Sequence, residues 1–365
     1  MEYITMTIKE IHRHGIIKKL IDREINATHA AKLLNLSIRQ TKRLKSKVKQ
    51  FGAKALIHAG RGKPGNHKLP NEERKRIGVI LKEKYSDFKP TFASEKLQEN
   101  HHIKRDPKTI RQIMIEENLW KPRRKQPPEY HAWRQRKACF GEMEQFDGSY
   151  HHWVEGRGPE WCLLASIDDA TGIPTKAKFD FNEGVFPVFK FWKEYIEQHG
   201  KPHSIYLDKF STYKMNQRTA IANPDTLTQF QRALHQLGIE PITAHSPQAK
   251  GRIERLFNTF QDRLVKELRL QKISIIEEAN IFLEEEFLPS YAKKYSVEPV
   301  SKTNLHQPLT QKEKSKLNSI FSKQTVRTVK NDFTVVRNNQ WHQLSEDQPT
   351  TIRKGTAVII EEWLD

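Results

Sequence analysis

Residues 144–181 read EQFDGSYHHWVEGRGPEWCLLASIDDATGIPTKAKFDF. Three extended stretches follow one another here with only tight connections. Glu144–Trp153 alternates so that Phe146 and Asp147 point to opposite faces of a strand. Trp161–Asp169 is more continuously apolar, as a central strand is. Pro174–Phe181 follows the turn at Thr171-Gly172, and Gly156 with Gly158-Pro159 supplies the other hairpin. The spacing predicts an antiparallel meander. The period then changes. Val185, Phe186, Val188, Phe189, Trp192, Tyr195 and Ile196 form an apolar helix that Gly200 closes. Ser204–Leu207 is a short strand that runs up to Asp208, Leu227–Leu237 a second helix, and Ile239–Thr243 a last short strand. The order βββ-α-β-α-β-α predicts an α/β domain over 141–270, with a mixed five-stranded sheet and helices over its faces.

The next helix lies in residues 245–269, HSPQAKGRIERLFNTFQDRLVKELR. Ile253, Phe257, Phe260, Leu264 and Leu268 recur at helical steps and define a buried stripe. Lys250, Arg252, Arg255, Arg263, Lys266 and Arg269 flank it, and one acid, Glu254, stands in its first turns. If the first and fourth strands are neighbours, Asp147, Asp208 and Glu254 converge from three different elements. Carboxylates held together without counter-charge repel. Divalent Mg²⁺ or Mn²⁺ would relieve that repulsion, because hard cations prefer carboxylate oxygens. Two ions roughly 4 Å apart would suit an in-line displacement at phosphorus. Asp168 and Asp169 compete with Asp147 for the first place, although Asp169-Ala170-Thr171-Gly172 reads as a turn that Asp168 caps. The alternative is that all these acids are ordinary surface groups. No histidine spacing matches a structural zinc site.

The rest of the chain is strongly basic. The 365 residues carry a formal charge of +19, which favours polyanionic partners, nucleic acid first. No apolar run is long enough to span a bilayer, and the N-terminus does not read as a secretory signal. The two cysteines, Cys139 and Cys162, form no framework and fit a reducing cytoplasm. Thr28–Phe51 reads as two short helices joined at Asn35-Leu36, with Ser37 capping the second. That is a helix-turn-helix pattern whose second helix offers Arg39, Gln40, Arg43 and Lys47 to DNA. From Ser37 to Pro70 there are ten Lys or Arg and no acid. The Gly-rich stretch with Arg61 and Lys63 is a basic linker suited to a phosphate backbone. Glu72–Tyr85 and a stretch from Thr91, a candidate N-cap, are further helices. Asp106-Pro107 opens another, which presents Lys108, Arg111 and Gln112. A bridge follows with Lys121, Arg123, Arg124, Lys125, Arg134, Arg136 and Lys137.

These features resemble the DDE superfamily of insertion-sequence transposases, whose catalytic core is RNase H-like, as in retroviral integrases. The resemblance is nearest to the ISNCY group and is carried by Tyr206-Leu207-Asp208, by SPQAKGRIERLFNTFQDRLVKELR and by the two N-terminal helical units. It implies that Asp147, Asp208 and Glu254 are the three catalytic, metal-holding acids. Pro247, Gly251 and Arg255 match residues usual around the glutamate. Gln248 and Lys250, with Arg252 and Arg255 beside them, would contact the DNA end. Lys209 and Phe210 stand where Arg and His are common, and the 46 positions from Asp208 to Glu254 exceed the spacing in retroviral integrases. The implied protein is a bacterial, nucleoid-associated enzyme. It would bind double-stranded DNA with terminal inverted repeats, cut the element's 3′ end and join it to target DNA, working as a dimer or higher oligomer. A non-catalytic DNA-binding regulator, or an RNase H-like nuclease outside transposition, would share part of this pattern.

The expected organisation is a first helix-turn-helix domain (1–59), a basic linker (60–70), a second such domain (71–120), a basic linker (121–140), the RNase H-like domain (141–270), a helical extension (271–294), a linker (295–320) and a small β-barrel (321–365). The barrel is expected from short β-type stretches separated by Asn331-Asp332, Asn338-Asn339 and Lys354-Gly355. The extension is read as a helix over Ser274–Leu288 that Leu288-Pro289-Ser290-Tyr291 ends.

Overall fold

The structure is a computed structural model and describes residues 4–62, 69–122, 134–207, 224–243 and 251–364, without the side chains of 224–228. The chain divides into two compact units, Met1–Arg123 and Arg124–Asp365.

The first unit is helical. Helices α1 (Ile8–Ile21), α2 (Ala27–Leu34) and α3 (Ile38–Phe51) enclose Ile16, Ile17, Leu20, Ala30, Val48 and Leu56. Each start is capped by a side chain, which satisfies a backbone N–H that has no partner within the helix. Thr7 and Glu10 form a reciprocal capping box, Asn26 caps α2, and Ser37 Oγ accepts from Gln40 N at 3.2 Å. Asn35 takes the left-handed conformation that ends α2 (φ 50°), so the short α2–α3 turn has the local chemistry that its sequence predicts. Helices α4 (Asn71–Lys84), α5 (Pro90–His101) and α6 (Pro107–Glu116) follow. Asp106 accepts from Lys108 N at 2.8 Å and Pro107 occupies the first position of α6, as expected. α5 begins two residues earlier than expected. Pro90 opens it and Lys89 is its cap, so Thr91 lies inside the first turn.

The second unit begins with a two-residue strand, β1 (Cys139–Phe140), and is built on a five-stranded sheet. Its strands are β2 (Glu144–His151), β3 (Trp161–Asp168), β4 (Pro174–Asp180), β5 (Ser204–Leu207) and β6 (Glu240–Thr243), in the spatial order β4-β3-β2-β5-β6. The meander β2–β3–β4 is antiparallel, and β5 and β6 run parallel to β2. This is the mixed sheet expected, with β2 seated between β3 and β5. One face packs against α7 (Val185–His199) and α8 (Pro224–Gln236) through Phe146, Leu164, Phe189, Trp192, Ile205 and Leu234. The other packs against α9 (Gly251–Leu270) through Leu163, Ala165, Ile167, Ile253, Phe257, Phe260 and Leu264. Each large apolar side chain so buried contributes roughly 1.5–3 kcal/mol, so the stripe of α9 anchors it firmly.

Three expectations for the C-terminal third are corrected. Within the helical extension, the helix read over Ser274–Leu288 is not ended by Leu288-Pro289-Ser290-Tyr291. α10 (Ile276–Phe282) passes through a π-helical turn, Leu283–Phe287, into α11 (Leu288–Tyr295). In that turn Leu288 N reaches back five residues to Leu283 O. The widened backbone lets the helix run on through Pro289, which could not have donated to the ladder. The stretch 295–320, read as a linker, holds β7 (Ser301–Asn304) and α12 (Gln311–Ile320). Thr310 and Glu313 form a capping box on α12, and its Leu317 and Ile320 join the core over α7 and α8.

The small β-barrel is the third correction. β8 (Lys323–Thr328) pairs antiparallel with β11 (Ala357–Glu362), and β9 (Thr334–Arg337) with β10 (Gln340–Gln343). These are separate two-stranded sheets, and no sheet among the described residues is closed. Asn338 and Asn339 both take positive φ, which closes β9–β10 as a tight hairpin. Thr351–Arg353, one of the stretches counted toward the barrel, is not a strand.

One buried group in this sheet carries a pH signature. Glu144 is fully buried on β2. Its Oε2 accepts from Thr175 Oγ1 at 2.6 Å, and Oε1 has no hydrogen-bond partner among the described residues. Burial, reinforced by Asp168, pushes its carboxyl well above the usual range. The folded chain therefore holds a proton that the unfolded chain releases, and stability falls as pH rises above the unfolded value of 4.5. Glu144→Gln removes this dependence. The melting temperature of the variant relative to the parent is expected to be higher at pH about 8 than at about 5; a difference that does not change with pH would contradict the assignment.

Candidate active site on the β2 strand and helix α9

Asp147 lies on β2 opposite Ala165 of β3, and cross-strand partners share a face. Ala165 packs with α9, so Asp147 points to the α9 side of the sheet. Two hydrogen bonds hold the helix to the strand on either side of it. Ile253 N donates to Gln145 Oε1 at 3.3 Å, and Gln261 Nε2 donates to Ser149 Oγ at 3.1 Å. Eight helical residues rise about 12 Å and four strand residues about 13 Å. α9 therefore runs along β2, with Asp147 midway between the two anchors. Asp147 is half-buried, and its Oδ1 accepts from Gly148 N at 3.1 Å. Glu254 follows the first anchor directly and is exposed. β5 lies on the other side of β2, with Tyr206 opposite Gln145. Asp208 lies outside the described residues; of the other two expected acids, Asp147 is on the α9 face of the sheet and Glu254 is exposed in the first turn of α9.

The competing acids have other work. Asp168 is fully buried. Its Oδ1 accepts from Gly141 N at 3.0 Å, and its Oδ2 accepts from Thr171 N at 2.7 Å and Thr171 Oγ1 at 2.6 Å. It caps the turn before β4, and burial outweighs these bonds to raise its pKa. Asp169 is also fully buried and lies between charged partners. Its Oδ1 accepts from Arg134, from Arg252 Nη1 at 2.8 Å and from Gln145 Nε2 at 2.7 Å, and its Oδ2 accepts from Lys137 N at 2.9 Å. Neither Asp168 nor Asp169 is an open ligand.

The residues expected to meet DNA fall into four groups. Arg39, Gln40, Arg43 and Lys47 are exposed on α3, and Lys108, Arg111 and Gln112 on α6, where Gln112 Nε2 also donates to Glu116 at 3.1 Å. Two of the expected contacts serve the fold. Arg61 Nη2 donates to both carboxylate oxygens of Glu10, at 2.5 and 2.6 Å, and this is the main reason the Glu10 carboxyl is lowered to about 2. Arg252 is bound to Asp169 and is largely buried. Arg255 is exposed, and its Nε donates to Gly251 O at 2.6 Å. Lys63, Arg123, Arg124, Gln248 and Lys250 lie outside the described residues. The Gln145–Asp169–Arg252 connection was missed in the sequence, because its members are spread over 107 positions and match no motif.

No family model matches the chain. Two relatives do. The chain is 36% identical over 365 residues to y4bF of Sinorhizobium fredii, a protein that carries a transposase name; the match covers all of this chain and 79% of the relative. It is 31% identical to the transposase for insertion sequence IS1202 of Streptococcus pneumoniae, over 98% of this chain and 83% of the relative. The chain belongs to the insertion-sequence transposase family. Its function class is therefore transposition, a form of DNA recombination. Among solved structures, the simian T-cell lymphotropic virus intasome in complex with the PP2A subunit B56 gamma matches 68% of this chain and 86% of its own, at 15% identity and a TM-score of 0.34. The HTLV-2 integrase catalytic core in complex with magnesium matches 40% of this chain and 89% of its own, at 16% identity and a TM-score of 0.28. At these scores the overlaps add nothing to the assignment, which rests on the two sequence relatives. No helix among the described residues of this transposase is long and apolar enough to cross a membrane.

The role of Asp168 as a cap can be separated from a role in metal binding. Asp168→Ala strands two buried N–H groups and is expected to lower stability by about 2–4 kcal/mol. The loss, followed by denaturant titration, should be the same with and without Mn²⁺. A loss that depended on the metal would make Asp168 a ligand.

Proposed function

We propose that this transposase binds terminal inverted repeats, cuts the 3′ end of its element and joins the freed end to target DNA. Asp147, Asp208 and Glu254 are the acids assigned to that chemistry. The observation that carries the reading is the clamping of α9 along β2 on both sides of Asp147. It brings an exposed glutamate and a half-buried aspartate to one face of the sheet, while the neighbouring β5 runs up to Asp208. All three are carboxylates, the donor type that hard divalent cations take. These acids would hold Mg²⁺ or Mn²⁺, with two ions expected. Bound there, the ions would supply Lewis acidity at the scissile phosphate and lower the pKa of a water.

The chain's own residues act mainly by placement. In the first step a water oxygen bonds to phosphorus, the 3′ oxygen of the element leaves, and the proton released by the water is taken up as the 3′-OH forms. In the second, that 3′ oxygen bonds to a target phosphorus and a target 3′ oxygen leaves with the proton. Neither step forms a covalent bond to the protein. The exposed basic faces of α3 and α6 would grip the inverted repeat, with Arg39, Gln40, Arg43 and Lys47 on α3 and Lys108 and Arg111 on α6 meeting base edges and phosphates. Arg255, Gln248 and Lys250 would hold the cut end. Bringing two element ends together requires at least two copies of the chain.

The decisive experiment incubates the full chain with a labelled inverted-repeat end and Mg²⁺ or Mn²⁺. Cleavage and joining by the parent are expected, with loss of both in Glu254→Gln and with DNA binding retained. Undiminished cleavage by the variant would remove Glu254 from the chemistry. Binding by the parent without cleavage in either metal would favour a non-catalytic DNA-binding regulator instead. For the grip on the end, Arg43→Ala is expected to reduce the slope of log affinity against log salt by about 1 if it meets a phosphate. If it reads a base, discrimination between cognate and altered ends should fall by about 1–3 kcal/mol instead. A variant that changed neither the salt slope nor the discrimination would place Arg43 away from the DNA.

A further inference from the structure

Asp169 sits at the end of β3, fully buried, with four polar partners drawn from three separate parts of the unit. Arg252 belongs to the first turn of α9, two residues before Glu254. Gln145 belongs to β2, two residues before Asp147. Arg134 and Lys137 lie on the segment leading into β1. We propose that Asp169 is the positioning residue of the acid site, setting where Glu254 stands relative to Asp147. This rests on the assignment of those two acids to the metal-dependent chemistry.

The geometry gives the carboxylate this role by two routes. Arg252 ties the helix start to Asp169 directly, through a guanidinium that is itself largely buried. Gln145 ties it indirectly. The Gln145 amide donates its Nε2–H to Asp169 and turns its Oε1 toward Ile253 N. That N–H belongs to the first turn of α9, where no carbonyl of the helix is available to it. Asp169 thus orients the glutamine that caps the helix carrying Glu254. Because Gln145 lies on the same strand face as Asp147, the cap and the acid share one rigid support. Arg252 Nη2 also reaches Arg134 O at 3.4 Å, and Arg136 donates to the carbonyls of Asp169 and Ala170. The segment before β1 is therefore fastened to the same point.

A plain structural role would change overall stability and little else. A positioning role changes metal affinity and local protection at the helix start. Groups that orient metal ligands typically alter affinity by about 10- to 100-fold when replaced. The test uses the full chain as Asp169→Asn, which keeps the shape and removes the charge, with Arg252→Lys as a second variant should the first fold poorly. Mn²⁺ binding is titrated by electron paramagnetic resonance, and hydrogen exchange is followed at Ile253 N and across the sheet. Asp169→Asn is expected to weaken Mn²⁺ binding at least about tenfold and to accelerate exchange at Ile253 while the amides of β3 keep their protection. Arg252→Lys should show the same pattern to a smaller degree, because it retains the charge. Unchanged affinity and unchanged Ile253 exchange in a folded variant would overturn the proposal, as would acceleration spread evenly over β2, β3 and α9. Glu254→Gln, carried through the same titration, separates the two levels. If it leaves Mn²⁺ affinity intact, the metal assignment fails. If it weakens binding while Asp169→Asn does not, only the positioning role fails.

Discussion

A carboxylate without water needs cations or donors, and the junction of β2, β3 and the start of α9 in this transposase is organised around that need. Asp169 is removed from solvent and surrounded by two guanidinium groups, an amide side chain and a backbone N–H. Leaving such a charge unpaired would be strongly unfavourable. Its partners are accordingly held in place, and they come from the entry segment, from β2 and from the start of α9. The helix bearing Glu254 cannot slide along the strand bearing Asp147 without breaking these contacts. Apolar packing of α9 supplies most of its attachment, but packing tolerates small shifts that directional bonds to a buried charge do not.

The sheet order adds the second constraint. β2 is central, with the antiparallel meander on one side and the parallel strands on the other. That position makes β2 the strand that meets both β5 and α9, and it places Asp147 where elements distant in sequence can approach. The two faces of the sheet are specialised. Toward α7 and α8 there is a dense aromatic core, and Glu144 is buried there with its carboxyl pushed well above the usual range by burial. Toward α9 the face carries Gln145, Asp147 and Ser149, and the helix engages Gln145 and Ser149 directly.

Much of this was legible beforehand. The meander, the change of period at Val185, the apolar stripe of α9 and the caps at Ser37 and Asp106 are local patterns, and each element appears within a few residues of its expected place. The C-terminal third was harder for a physical reason. Its strands are short, and β-type patterning does not say which strands pair or whether a sheet closes. Pro289 reads as a helix end unless the widened turn before it is known. Polar α12 looks like a linker because only its Leu317 and Ile320 are buried. The basic residues divide in a similar way. The basic side chains named on α3 and α6 are exposed, whereas Arg61 and Arg252 have internal partners that charge counting could not reveal.

The sequence by itself determined the class of partner, the strand and helix periods, the strand count of the central sheet and the family. These follow from composition, from side-chain spacing and from similarity along the whole chain, and none requires knowing what touches what. Only the tertiary structure decided that β2 lies between β3 and β5, that Asp147 faces α9, that Asp168 caps a turn and that Asp169 holds Arg252. Those outcomes depend on long-range pairing in a low-dielectric interior. There the cost of an unpaired charge or donor selects one arrangement from several that the linear pattern allows equally.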